Sequence, residues 1–129
     1  MECIALTGIS NHVLRDLTDR VLRTIEIRSP HNFVSILHAE VGASVFLSSV
    51  SPDDITAGTT GIVARVQRRD ISIQRMVQSN DFFFEEREMM MARVQLVATG
   101  AGRVRRIVRS EIGFAMVVSV DEKPAYAAR

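Results

Sequence analysis

Beyond Ala43 strand-forming runs dominate the chain, each ended by turn residues. Ser44–Val50 is β-rich, Pro52, Asp53, Asp54 and Gly58 mark a turn region, and Thr60–Gln67 reads as the next strand. Ile71–Val77 predicts another. From Met90 the pattern divides into a strand to Ala98, a turn over Thr99-Gly100-Ala101-Gly102, a strand from Arg103 to Val108, a turn from Ser110 to Gly113 and a strand from Phe114 to Val120. Gly58-Thr59-Thr60-Gly61 lacks the lysine and following helix of a phosphate-binding loop and predicts a hairpin turn. So many short strands in 129 residues leave open edges unless the sheet closes on itself. The expected architecture is therefore α+β, a small mixed or antiparallel β-barrel of about six strands.

The front of the chain supplies the α part, one or two helices near the N-terminus. Met1–Thr7 alternates, with Ile4 and Leu6 on one face and Cys3, Ala5 and Thr7 on the other, and Gly8 ends the strand. Ser10 or Asn11 can cap a helix whose Leu14, Leu17 and Val21, with Val13 and Leu22, form an apolar stripe. From Thr24 the period changes to two, which puts Thr24, Glu26 and Arg28 on one face of a strand and Ile25 and Ile27 on the other. Ser29-Pro30 reads as an N-cap followed by proline at the first helical position, and Phe33, Ile36 and Leu37 give a short helix ending near Gly42. With no linker-like composition and no internal repeat, residues 1–129 read as a single domain.

Composition narrows the function classes. The chain is 47% hydrophobic and 24% charged, enough apolar matter for a core without a disulfide or metal staple. Its one cysteine cannot form an internal disulfide. There is no run of about 18 apolar residues to span a membrane, and Met1-Glu2-Cys3-Ile4 lacks the basic and apolar segments of a signal peptide, so the expected location is the cytoplasm. Residues 1–64 hold 4 basic and 7 acidic groups and residues 65–129 hold 12 and 8, so the basic half is the second. Fifteen of the 16 cations in the whole chain are arginine, the residue suited to bidentate phosphate contacts and to stacking, although arginine-favouring codons give the same count.

Arg23-Thr24-Ile25-Glu26-Ile27-Arg28, followed by Val41-Gly42, the run Ser44–Val50 and Gly61-Ile62-Val63-Ala64-Arg65-Val66, resembles the ASCH domains of the PUA-like β-barrel superfamily. Those domains carry a Lys-Thr-hydrophobic-Glu-x-Arg element and then a Gly-Asp turn. Here Arg23 stands where lysine is usual and Ala43 where aspartate is usual. The resemblance covers roughly residues 1–70. It implies a PUA-like barrel with a cleft beside the first helix that holds RNA or a modified nucleotide, with Arg23, Thr24, Glu26 and Arg28 as the binding residues. A carboxylate accepts from base amino groups and a guanidinium donates to phosphate or a guanine edge. Set against this is a solvated strand face on which Glu26 and Arg28 satisfy each other. Some ASCH-like proteins are amidohydrolases of acylated cytidine, in which the element's lysine and threonine are catalytic. Thr24 matches that threonine, but Arg23 stays protonated and cannot serve as the base, so hydrolysis ranks below binding. The whole chain also resembles a small archaeal family of uncharacterised proteins, through Thr24–Ser29, Gly58–Ile62 and Glu85–Arg93.

Two further features need a place. Arg103, Arg105, Arg106 and Arg109, with Arg65, Arg68, Arg69 and Arg75, form a secondary basic surface if their strands adjoin, or else mark a charged edge strand. Phe82, Phe83, Phe84, Met89 and Met90 suit core or interface packing, including a homodimer contact, and the neighbouring Glu85, Glu86 and Glu88 argue against touching a polyanion there. His12, His31, His38 and Cys3 lack zinc-ligand spacing, so no metal and no cofactor is expected.

Overall fold

The computed structural model describes residues 1–20 and 22–124. In chain order these form β1 (Glu2–Leu6), α1 (Asn11–Arg20), β2 (Leu22–Ile27), α2 (Pro30–Leu37), β3 (Ser44–Leu47), a 3-10 turn (Pro52–Asp54), β4 (Thr60–Asn80), β5 (Phe83–Arg109) and β6 (Val117–Pro124). The architecture is a mixed, sheet-rich one of six strands, with α1 and α2 inserted before β3. Helical residues are not confined to the N-terminal part, because the 3-10 turn follows β3. Among the described residues no helix is long and apolar enough to cross a membrane.

Local sequence accounts for the first elements. Cys3 and Ala5 enter one core and Leu6 another, so β1 is covered on both faces. Ser10 Oγ accepts from the Val13 N–H and starts α1, whose Leu17 is fully buried; Val21, the last residue of the expected stripe, lies outside the described residues. Ser29 Oγ accepts from the Asn32 N–H, and Pro30 opens α2. α2 stops at Leu37 rather than near Gly42, and from β4 the Arg69 Nη1 donates to the carbonyls of Ile36, Leu37 and Ala39 at 2.9–3.0 Å. A guanidinium at a helix C-terminus satisfies carbonyls that have no partner within the helix and complements the dipole.

The hydrogen-bonded strands run β2-β5-β4-β3-β1-β6, and β6 also pairs with β5. The pairings thus return on themselves through β1, β3, β4, β5 and β6. β1 and β3 are parallel and the remaining pairs antiparallel. Two apolar clusters form. Leu17, Phe33 and Ile36 from the helices pack with Ile25, Val45, Leu47, Val66, Val94 and Leu96. Phe46, Val63, Val104, Met116, Val118 and Val120 form the other with Cys3 and Ala5. Val45 and Leu47 lie in the first cluster and Phe46 in the second, so the sheet separates them.

Three strand boundaries differ from the sequence reading. Thr99-Gly100-Ala101-Gly102 is not a turn but lies within β5, and Gly61 lies within β4. These glycines provide space rather than a change of direction. A Cβ at Gly102 would sit 2.8 Å from Val63 Cγ2 and 2.9 Å from Val120 Cγ1, and one at Gly61 would sit 2.1 Å from the Leu47 carbonyl oxygen and 2.7 Å from the Phe46 ring. The expected strands Thr60–Gln67 and Ile71–Val77 are one strand, with irregularities at Val63/Ala64 and Val66/Arg68 absorbing the polar stretch between them. β6 begins at Val117, later than the expected Phe114. Gly61→Ala is expected to lower unfolding free energy by about 3 kcal/mol, and Gly102→Ala by about 2 kcal/mol, in urea titrations of the purified protein.

Candidate functional site

β2 ends the sheet on its side and among the described strands pairs with β5 alone, so every second N–H and C=O along it faces outward. Between that edge and the starts of both helices lies a cleft of about 230 Å³, bordered by Gly8, Ser10 and Val13 on one side, Ser29 and Asn32 on another, Glu26 on β2 and Arg28 just after it. Gly8 takes φ +63, a conformation that favours glycine, and this turns the chain from β1 into α1. The turn is held from two directions. The Gly8 and Ile9 N–H groups donate to the carbonyls of Val50 and Ser48 at 2.7 and 3.0 Å. Buried Asn32 accepts from the Thr7 N–H at 2.9 Å and donates to the Thr7 carbonyl at 2.7 Å.

The N-termini of α1 and α2 therefore converge on one opening. The start of a helix carries the positive end of its dipole and so favours an anion, while the N–H groups of Val13 and Asn32 are already taken by Ser10 and Ser29 Oγ and Pro30 has none. Arg28 adds an exposed guanidinium, paired at 3.0 Å with Glu26, which also accepts from Arg93 at 3.0 Å. Of the polar triplet of the sequence reading, Glu26 and Arg28 are thus part of a charged, solvent-accessible network at the cleft mouth. Thr24 lies on the same exposed face, in register with Gln95. Arg23 occupies the other face and pairs with Asp16 of α1. Arg23 and Thr24 are not brought together, whereas Glu26 and Arg28 are.

The second basic group is dispersed by its pairing. Arg105 lies 3.6 Å from Asp121, Arg106 lies 3.5 Å from Glu2, and the Arg109 guanidinium stacks 4.1 Å over the Phe114 ring. Arg103 stands opposite Thr60 where β4 begins. Beyond that point β5 is paired with β6 alone among the described strands. Arg68 pairs with Asp70, Arg75 with Glu86, and Arg69 caps α2. Phe82, Phe83 and Phe84 are not core residues. They form the exposed tip of the β4–β5 hairpin, with Met89 and Met90 nearer its root, and Phe82 is 98% exposed.

Cys3 offers no nucleophile. Burial pushes its thiol up to about 11 from an ordinary 9.0, with the N-terminal ammonium opposing and Glu122 adding to the rise. Among the described residues no group of three His, Cys, Asp or Glu side chains could hold a metal ion.

A family described as protein of unknown function (DUF473) matches residues 1–118. The chain belongs to this family. An uncharacterized protein of Methanocaldococcus jannaschii is 29% identical over 100 residues, which are 78% of this chain and 62% of that protein, so the chain spans about three fifths of its relative's length. No solved structure matches the chain. The DUF473 match extends from β1 into the first residues of β6, so the cleft and the hairpin tip both lie within it.

Asn32 was absent from the sequence-derived site because its partner, Thr7, lies 25 residues away. Asn32→Ala strands a buried N–H and a buried carbonyl and is expected to cost about 2–3 kcal/mol in urea unfolding. Cys3 is expected to resist thiol reagents at pH 8 until the chain unfolds. Because the folded thiol keeps its proton to higher pH than the unfolded one, its stabilising contribution is complete below pH 9 and is lost as pH rises towards 11. Cys3→Ala should remove that part of the pH dependence.

Proposed function

We propose that this protein is a cytoplasmic domain of the PUA-like, ASCH-like barrel kind that binds RNA or a nucleotide-like ligand. Its binding site is the cleft between α1, α2 and β2. The cyclic strand pairing supports the barrel part of this reading. One observation carries the binding part: two helix N-termini, Arg28 and the outward backbone groups of β2 meet at the same opening. A phosphate there would meet N–H dipoles and a guanidinium, while Glu26 and the β2 edge offer acceptors and donors to a base. Forming the contact requires Arg28 to exchange its bond to Glu26 for one to the ligand. Arg93 remains to hold that carboxylate.

A second surface has its own observation. The large apolar side chains exposed along the β4–β5 hairpin favour Phe82, Phe83, Phe84, Met89 and Met90 as a contact with a second copy of the chain.

The binding reading is tested by the ultraviolet spectrum after purification at low salt, followed by titration with cytidine monophosphate and a short single-stranded RNA. With no tryptophan and one tyrosine the protein absorbs little, so retained nucleotide dominates near 260 nm. Arg28→Glu is expected to weaken binding more than about tenfold, and Arg105→Glu, on the β6 side, to leave it within about twofold. No association with either probe, or equal loss in both variants, would overturn the reading.

A further inference from the structure

The outer part of the β4–β5 hairpin is an arm. Among the described residues, positions 72–80 and 83–91 take strand partners only from each other. At strand spacing the arm extends about 30 Å. Register places Ile71, Ile73, Val77, Phe84 and Met90 on one face, all of them large exposed apolar residues, interrupted by Arg75, Ser79, Glu86 and Glu88, with Phe82 at the end. A two-stranded ribbon is marginal alone in water, and so many exposed large apolar residues towards its tip mark a contact.

The charges select the partner. Between residues 71 and 90 two arginines, Arg75 and Arg87, stand among four acids, Asp81, Glu85, Glu86 and Glu88, giving −2, while the rest of the chain carries +3. Both arginines are already engaged, Arg75 with Glu86 and Arg87 with Glu85. An acidic arm of this kind repels nucleic acid and anionic lipid. The body of the same chain offers the complement. A cleft of about 620 Å³ lies between α2 and the turn before β6, lined in part by Ile107, Ile112, Phe114 and Met116. A second hollow of about 370 Å³, bordered by Phe33, Met89 and Met90, adjoins it, because Pro30 and Val34 line both. Together they make an apolar trough along α2 from the arm's root to Phe114. Arg109 stacks on Phe114 at its far end, Ile112 is 99% exposed there, and the buried His31 Nε2 in the cleft has no hydrogen-bond partner within the described residues.

We infer that two copies exchange arms, each laying the tip of its arm in the other's trough, with Phe82 and Phe84 in the cleft beside Ile112 and Phe114. The acids flanking the tip then face Arg109 at the end of β5. The exchange is reciprocal, so it closes as a two-fold dimer and does not propagate. It rests on reading the Phe82 segment as a contact with a second copy.

Light scattering after size exclusion tests it with three samples: wild type, the arm variant Phe82→Glu/Phe84→Glu, and the cleft variant Ile112→Glu. All the substituted side chains are exposed in the single chain, so each variant should keep the wild-type circular dichroism. Wild type is expected as a two-chain particle, and each variant to self-associate more than about tenfold less tightly. An equimolar mixture of the variants should recover two-chain particles, because one intact arm meets one intact cleft. A single-chain wild type would overturn both this inference and the second-copy reading. Dimerisation lost in the arm variant but unchanged in Ile112→Glu, or variants that do not complement each other, would overturn the inference alone and leave arm against arm as the contact.

Discussion

β5 hydrogen-bonds to three strands along its length: to β2 over Ala92–Ile27 and onward to Val97, to β4 as far as Arg103, and to β6 from Gly100 to Arg109. Among the described strands β1 and β3 do not pair with it, and they join the sheet through β4 and β6. One strand can serve so many partners only by bending, and the register irregularities opposite it, at Val63/Ala64 and Val66/Arg68 in β4 and at Val104/Arg106 within β5, allow that. Where the strands draw together around Phe46, Gly61 and Gly102 leave the volume that side chains would fill. The ring takes that volume, and the second core assembles around it.

The cleft inherits its shape from this framework. β2 is held by β5 on one edge only, which leaves its other edge open to the helix starts. Asn32 of α2 reaches out to Thr7 just past β1, and Arg69 reaches in from β4 to the opposite end, so the helix is fixed at both ends by side-chain bonds outside its own ladder. The residues that define the opening are therefore mostly structural, and Arg28 and Glu26 are the exposed charged groups at its mouth.

Local pattern was legible where structure depends on near neighbours. The alternation of Cys3, Ile4, Ala5 and Leu6, the caps at Ser10 and Ser29 and the two faces of Thr24–Arg28 all concern residues within one or two turns of each other, and the structure has them. The glycines of Thr99–Gly102 were misleading because glycine signals both turns and close approach, and the approach here is to Phe46, Val63 and Val120, each distant in sequence. The stretch Arg68–Asp70 fell between two expected strands, yet it pairs with Arg93–Gln95 and carries β4 on without a break. Phe82–Phe84 suggested packing, and within one chain nothing in the sequence distinguishes a core phenylalanine from one at the end of an arm.

The N-terminal strand sits between β3 and β6, and the Val120 N–H donates to the carbonyl of Met1 at 2.8 Å. The first strand of the fold is thus completed by its sixth. A nascent chain can pair β1 with β3 early, but the other edge of β1 and the core around Cys3 and Ala5 wait for Met116, Val118 and Val120 to leave the ribosome. Contacts so distant in sequence slow folding, because the loop must close before it is rewarded. During that interval an open β-edge and an arm bearing three phenylalanines are both accessible, so the folding of this chain is most vulnerable to wrong pairing just before β6 arrives.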